Sequence, residues 1–207
     1  MKVFLAGATG RVATEALKAL VAKGHKVIAG ARQSGRIALM DGVTPVTMDL
    51  HAPVESLVEL VKGCDAVIFA AGSRGRDLLQ TDAYGAVKLM QAAETAGLKR
   101  FIMLSALYSL TPEKWGDRLK DYYIAKYFAD NYLVHQTDLD YTIVQPGRLL
   151  EEKGTGRISL GDEGLTSIPI ADVGAVLATL ADSPAMSLKV IEIHPGTLPI
   201  SEAFTKL

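Results

Sequence analysis

The run Gly7-Ala8-Thr9-Gly10-Arg11-Val12-Ala13 leaves little freedom in what this chain can fold into, because it joins a short apolar segment to an amphipathic helix. Ahead of it, Val3-Phe4-Leu5-Ala6 is a continuous apolar stretch of the kind required by a strand buried on both faces of a parallel sheet. Behind it, Leu17, Leu20 and Val21 share one face of a helix that Gly24 ends. Glycine at position 7 permits a sharp turn. Glycine at position 10 lets backbone come close to a pyrophosphate seated on the free N–H groups of the helix N-terminus. Ala13 fills the third small position, where helix and strand pack closely. Gly7, Thr9, Gly10, Arg11 and Val12 are therefore expected to hold the phosphates of a dinucleotide, and a nicotinamide cofactor is the first expectation.

Strand and helix signals then alternate for most of the 207 residues. Strands are expected at Lys26–Ala31, Thr44–Met48, Asp65–Gly72 with its exit loop, Arg100–Ser105 and Tyr141–Val144. Helices are expected at Pro53–Val61, Leu78–Ala96, Arg118–Gln136 and Ala171–Leu180, with short strands at Arg157–Leu160 and Lys189–His194. This order gives the fold class α/β, a Rossmann-type doubly wound parallel sheet in a single domain over 1–207. The cofactor half runs to about 110, and the substrate side, with a small covering region, takes 111–207.

A formal net charge of −1, with no Lys/Arg run, disfavours nucleic acid as a partner. The N-terminus enters the first strand directly and no apolar run reaches membrane-spanning length, so a cytoplasmic protein with no membrane partner is expected. Cys64 is the single cysteine and reads as a core or loop residue. The four histidines lack ligand spacing, and no metal site is expected.

Three places carry chemistry. After the second strand the chain has Ala31-Arg32-Gln33, with no carboxylate to bond the 2′-hydroxyl of NAD. Arg32 can meet a 2′-phosphate, so NADP(H) is favoured over NAD(H). Asp49-Leu50, just past the third strand, is placed to contact adenine, and Asp49 is equally placed to cap the next helix. Tyr122 and Lys126 lie four apart on one helix face, and Ser105 leaves the fifth strand 17 residues earlier. A tyrosine whose pKa is lowered by a nearby lysine can give a proton to a substrate carbonyl as hydride arrives, while the serine holds the same oxygen. Such pairs also occur on ordinary amphipathic helices, and Tyr123, Tyr127 and Phe128 show that this one uses aromatics for packing.

Read in order, Gly7-Ala8-Thr9-Gly10, Ala70-Ala71-Gly72, Arg100-Phe101-Ile102-Met103-Leu104-Ser105, Ala125-Lys126-Tyr127-Phe128-Ala129-Asp130, Asp140 to Gly147 and Ile168 to Val173 resemble the short-chain dehydrogenase/reductase superfamily. The likeness is nearest to its atypical, NmrA-like NAD(P)-binding branch, over almost the whole chain. The resemblance implies a nicotinamide over the ends of strands four to six, with Ala70, Ala71 and Gly72 along the cofactor and Pro146 beside the nicotinamide. It also places Lys126 among the cofactor contacts and makes Asp172 a structural residue. The sequence departs from the better-known enzymes in having Ala70 where they have Asn and Asp82 near a second Asn of a proton relay. It departs from many branch members in having Gln145 where they have Arg before Pro-Gly.

The expected function is an NADPH-dependent oxidoreductase for a small carbonyl or quinone-like acceptor, with Tyr122 as acid, Lys126 as its electrostatic partner and Ser105 as orienter. Trp115 is expected to wall the acceptor site and the segment from Leu149 to Thr166 to cover it. The alternative is a non-catalytic NADP(H)-binding regulator of the same branch. A sugar-nucleotide epimerase fits less well, because the C-terminal region is small. A monomer or a homodimer paired through the aromatic helix is expected.

Overall fold

The computed structural model of this protein describes residues 1–204. Its first element, β1 (Lys2–Ala6), is buried on both faces. Val3 and Leu5 join one half of the core, while Phe4 and Ala6 join the other, as alternation along a central strand requires. The turn after it leads into α1 (Arg11–Ala22), and Gly24, at φ +79°, closes that helix and feeds β2 (Lys26–Ala31). The chain continues through β3 (Val43–Thr47), α2 (Val54–Val61) and β4 (Ala66–Phe69). A widened, π-helical segment, Leu78–Tyr84, then runs into α3 (Gly85–Thr95). The second half comprises β5 (Arg100–Leu104), α4 (Lys120–Gln136), β6 (Asp140–Pro146), β7 (Arg148–Leu150), β8 (Arg157–Leu160) and β9 (Ser167–Pro169). It ends with α5 (Ile170–Leu180), β10 (Lys189–Pro195) and β11 (Leu198–Pro199).

The main sheet has the order β11-β8-β10-β6-β5-β4-β1-β2-β3, parallel from β3 through β10, with β8 and β11 added antiparallel at one edge. The run 3-2-1-4-5-6 is that of a dinucleotide-binding sheet, and its direction of travel reverses between β1 and β4. Loops leaving the carboxyl ends of these two strands form a crevice, which is where open α/β sheets bind ligands. Helices α1 and α5 pack together on one face of the sheet. There Gly174 leaves no room for a side chain, since a Cβ would stand 2.7 Å from the backbone nitrogen of Ala16.

Every strand and helix expected from the sequence is present within a few residues. The helix expected from Leu78 differs in kind, because its first seven residues are π-helical. The wide turn follows Asp77, which accepts the Thr81 amide and hydroxyl, and it carries Asp82 into the interior. The parallel pair β7–β9 and the edge strand β11 went unread in the sequence, since two- and three-residue strands leave no periodic signal. Cys64 is buried in the core beside β4. Among the described residues no helix is long and apolar enough to cross a membrane.

Asp172, in the first turn of α5, holds a loop of the covering region. Its carboxylate accepts the backbone amides of Thr155 and Gly156 at 2.9 and 2.8 Å and the Thr155 hydroxyl at 3.0 Å. Gly154 makes room, since a Cβ there would sit 2.7 Å from an Asp172 oxygen. Asp172→Asn turns an amide N–H toward one of these donors and is expected to cost about 2–3 kcal/mol. A denaturant midpoint equal to that of the parent would contradict this role.

Candidate functional site

The turn between β1 and α1 fits a pyrophosphate. Gly7 has φ +85°, and a Cβ on it would lie 2.5 Å from the Ala71 Cα, so the turn and the loop after β4 touch backbone to backbone. The Gly7 and Ala8 amides donate to Gly30 O at 2.9 and 3.0 Å, which fixes the turn against β2. Gly10, with φ −75°, sits directly ahead of α1, and a Cβ there would press on Gly7 O at 3.0 Å. Gly10, Arg11 and Val12 at the start of α1 line the cleft, where the first-turn N–H groups of a helix can take a phosphate.

From this turn a cleft of about 1390 Å³ crosses the carboxyl ends of the strands. It exceeds the roughly 300–1,000 Å³ of an ordinary small-ligand pocket and is large enough for a dinucleotide with an acceptor beside it. Gly7, Thr9, Gly10, Arg11 and Val12 line it at the turn. Arg32, Asp49 and Leu50 line one end, and Ala70, Ala71 and Gly72 run along the loop after β4. Ser105, Tyr122, Lys126 and Pro146 line the opposite end. The candidate cofactor-binding and catalytic residues read from the sequence thus border one space.

Several side chains take up roles the sequence did not reveal. Arg11 is bridged at 2.9 Å to Glu151, just past β7, so the phosphate turn is tied to the covering segment. Asp49 accepts the His51 amide at 2.9 Å, closing a turn ahead of α2 rather than capping the helix itself. His51 in turn meets Asp77 at 2.7 Å, and Thr81 donates to the same carboxylate. These bonds hold the Asp77 carboxyl below its usual range, the Thr81 bond contributing most. Arg36, Arg74 and Arg76 join Arg32 in lining the cleft, giving that end a cluster of cations.

At the opposite end the tyrosine and lysine stand together, but not with the expected effect on the tyrosine. The Lys126 nitrogen lies 5.9 Å from the centre of the Tyr122 ring and donates to Leu104 O at 3.0 Å. The Tyr122 hydroxyl is pushed above its ordinary value, first by burial and then by the negative charges of Asp82, Asp130 and Tyr123. Burial likewise pushes the Lys126 ammonium down, against the pull of Asp82 and Asp130. The expectation that Lys126 lowers the Tyr122 pKa is therefore corrected. Two carboxylates balance the lysine, and the tyrosine keeps its proton throughout the working range. Among the described residues no hydrogen bond engages its hydroxyl.

Ser105 borders the cleft, but its hydroxyl is engaged by a buried partner. Its hydroxyl donates to Asp130 of α4, a fully buried residue eight positions beyond Tyr122 and four past Lys126 on the same helix. Gln145 is buried as well: its amide donates to the Ser109 hydroxyl at 2.8 Å and its oxygen accepts the Tyr108 amide at 3.2 Å. It anchors the loop after β5 and does not line the cleft.

Trp115 is also displaced from its expected place. It stacks on Tyr123 with ring centres 5.6 Å apart and donates to Tyr108 O at 2.7 Å, so it backs the cleft wall that Tyr123 forms. Leu119, Leu149 and Leu165 supply the apolar surface, joined by Arg148, Thr166 and Ser167 from β7 and the start of β9. The loop after β5 and the loop after β8 are clasped across this end by Asp162, which accepts from the Tyr108 hydroxyl at 2.5 Å and from Lys114.

Residues 7–184 match the family model described as NAD(P)H-binding. The chain is 37% identical to the uncharacterized sugar epimerase YhfK of Bacillus subtilis, with each chain covered in full. It is 46% identical to the oxidoreductase ylbE of Lactococcus lactis, whose solved structure superposes with a TM-score of 0.97 over 100% of this chain and 96% of that one. A solved protein of Bacillus halodurans is 33% identical, with a TM-score of 0.90 and full coverage of both chains.

Proposed function

The chain belongs to the NAD(P)H-binding family whose model it matches, and on that premise we propose that it is an NADPH-dependent oxidoreductase of the atypical, NmrA-like short-chain type. Its acceptor is a small carbonyl or quinone-like compound. The observation that carries this reading is that Ser105, Tyr122 and Lys126 border the same cleft as the glycine turn, at the end remote from Arg32.

Gly7, Thr9, Gly10, Arg11 and Val12 would hold the pyrophosphate, Asp49 and Leu50 the adenine, and Arg32 a 2′-phosphate. Ala70, Ala71, Gly72, Lys126 and Pro146 would flank the remainder. When bound, the dinucleotide supplies a hydride. Tyr122 gives its proton to the acceptor oxygen as charge develops there, Ser105 orients that oxygen, and Lys126 stabilises the tyrosinate left behind. The apolar surface of Leu119, Tyr123, Leu149 and Leu165 favours a flat, weakly polar acceptor.

Arg32→Glu is expected to weaken NADPH binding roughly 10–100-fold while leaving NADH within a few-fold, since it replaces a charge-assisted bond to the 2′-phosphate with repulsion. Equal losses for both nucleotides would remove the case for NADP. A second reading, a regulator that binds NADP(H) without turnover, is favoured by the Arg11–Glu151 bridge. A bound pyrophosphate competes with Glu151 for Arg11, so cofactor binding would release the covering segment to a partner.

A further inference from the structure

Behind Ser105 lies a buried polar chain with hydrogen-bond directions that can be assigned from one end. The Tyr108 amide has a proton and no lone pair to offer, so the Gln145 group facing it is the oxygen, at 3.2 Å. The Gln145 nitrogen must then donate to Ser109 Oγ, at 2.8 Å. Ser109, already an acceptor there, donates its own proton to Asp130 Oδ2 at 2.5 Å. Ser105 contacts the same carboxylate oxygen and has nothing else fixing its direction. The second oxygen of Asp130 is buried without a partner.

We infer that Asp130 is a positioning residue that sets whether Ser105 offers the cleft a hydrogen-bond donor or only lone pairs. An ionised Asp130 accepts from both serines, so the Ser105 proton points away from the cleft. A protonated Asp130 donates to Ser105 Oγ, and the serine's own proton is freed to turn toward an acceptor carbonyl. Gln145 already fills one of the two lone pairs of Ser109 Oγ, whereas both lone pairs of Ser105 Oγ are unengaged, so the proton of a neutral Asp130 is better accommodated by Ser105. The proposal rests on the reading of Ser105 as the residue that orients the acceptor oxygen.

The surroundings make both states accessible. Burial raises the Asp130 carboxyl to about 6, against the bonds from Ser105 and Ser109 and the charge of Lys126. Other ionisable groups near it are Tyr122 and Lys126 of α4 itself and Asp82 of the π-helical segment, which acts on both of them. The loop after β5 and strand β6 face it with Ser105, Ser109 and Gln145, all neutral. The unpartnered oxygen adds to the cost of the charged state.

The test is a carboxyl titration by NMR of protein labelled with 13C-carboxyl aspartate, with the Asp130 signal assigned by its loss in Asp130→Asn. The expected midpoint lies near 6. Ser105→Ala should raise it, because the variant removes a donor to the charged form. In parallel, NADPH oxidation by menadione in the wild type should fall roughly tenfold per pH unit above that midpoint, as one proton is lost. Asp130→Asn has no proton to lose, so its rate should carry no such slope. A midpoint near 4, or one that ignores Ser105→Ala, overturns the inference, as does a slope shared by wild type and Asp130→Asn. If the serine shifts the titration but no acceptor is ever consumed, the coupling of the two residues stands and the oxidoreductase reading fails instead.

Discussion

Tyr122→Phe should lower kcat for the acceptor by 10²–10⁴-fold, the usual contribution of a positioned general acid, while NADPH binding stays within about twofold of the parent. The substitution is clean for a structural reason. Among the described residues the Tyr122 hydroxyl has no hydrogen-bond partner, so its removal breaks nothing in the fold, and the ring, which packs against Tyr123, is retained. Lys126 offers no such separation. Its ammonium holds the Leu104 carbonyl and is the cation set against Asp82 and Asp130, so removing it leaves buried carboxylates unbalanced. A loss of stability in Lys126→Met would therefore say nothing about chemistry. If Tyr122→Phe retained full kcat, proton donation by this residue would be excluded.

Gly7→Ala and Gly10→Ala should fail in different ways, although both lie in one turn. At Gly7 the backbone is left-handed and a Cβ would overlap the Ala71 backbone at 2.5 Å, with no flexible side chain to move aside. The combined strain and displacement should cost about 3 kcal/mol or more, with the cofactor lost as the turn shifts. At Gly10 the backbone is ordinary and the new methyl group meets Gly7 O at 3.0 Å, a contact eased by a few tenths of an ångström. Stability should fall by no more than about 1 kcal/mol, while dinucleotide affinity drops at least roughly tenfold, because relieving that contact shifts the backbone that the pyrophosphate must approach closely. Paired denaturant unfolding and nucleotide titration measure both. Equal destabilisation by the two variants would contradict the division of roles, and so would unchanged affinity in Gly10→Ala.

Asp130 also links stability to pH. Its carboxyl, raised to about 6 in the folded chain against an ordinary 3.8, favours folding most below the unfolded value and loses that contribution as pH rises through 6. Asp130→Asn should therefore gain stability relative to wild type between pH 4 and pH 7, by about 2–3 kcal/mol. A constant difference across that range would mean that Asp130 titrates as an exposed carboxyl does.

The cofactor end was legible because its requirements are local. A buried strand, glycine at two fixed positions and a small residue at Ala13 each leave a mark in consecutive residues, and β1, α1 and β2 follow from them. The acceptor end depends on contacts between distant segments, which a linear pattern does not carry. The place of Ser105 after β5 is visible in the sequence, yet its hydroxyl is engaged by Asp130, 25 residues on. The spacing Tyr122, Lys126, Asp130 was available as a four-residue stripe on α4, and it was the one signal that could have identified the third residue. The position of Trp115 ahead of α4 points to the wall itself. Only its stack on Tyr123 shows that it stands one layer behind. The π-helical turn at Leu78–Tyr84 leaves no signature in the sequence, since its residues fit an ordinary helix equally well.

Hydride transfer itself is best tested by following NADPH labelled with deuterium at C4 over a panel of quinones, flavins and aldehydes, with NADH and Tyr122→Phe run beside it. The expected result is oxidation of NADPH by at least one acceptor, with a primary deuterium isotope effect on the rate, deuterium kept on carbon where the acceptor is an aldehyde, and the rate lost in Tyr122→Phe. Tight NADPH binding with no consumption by any acceptor, in wild type and variant alike, would contradict an oxidoreductase and leave the cofactor-dependent regulator as the reading to pursue.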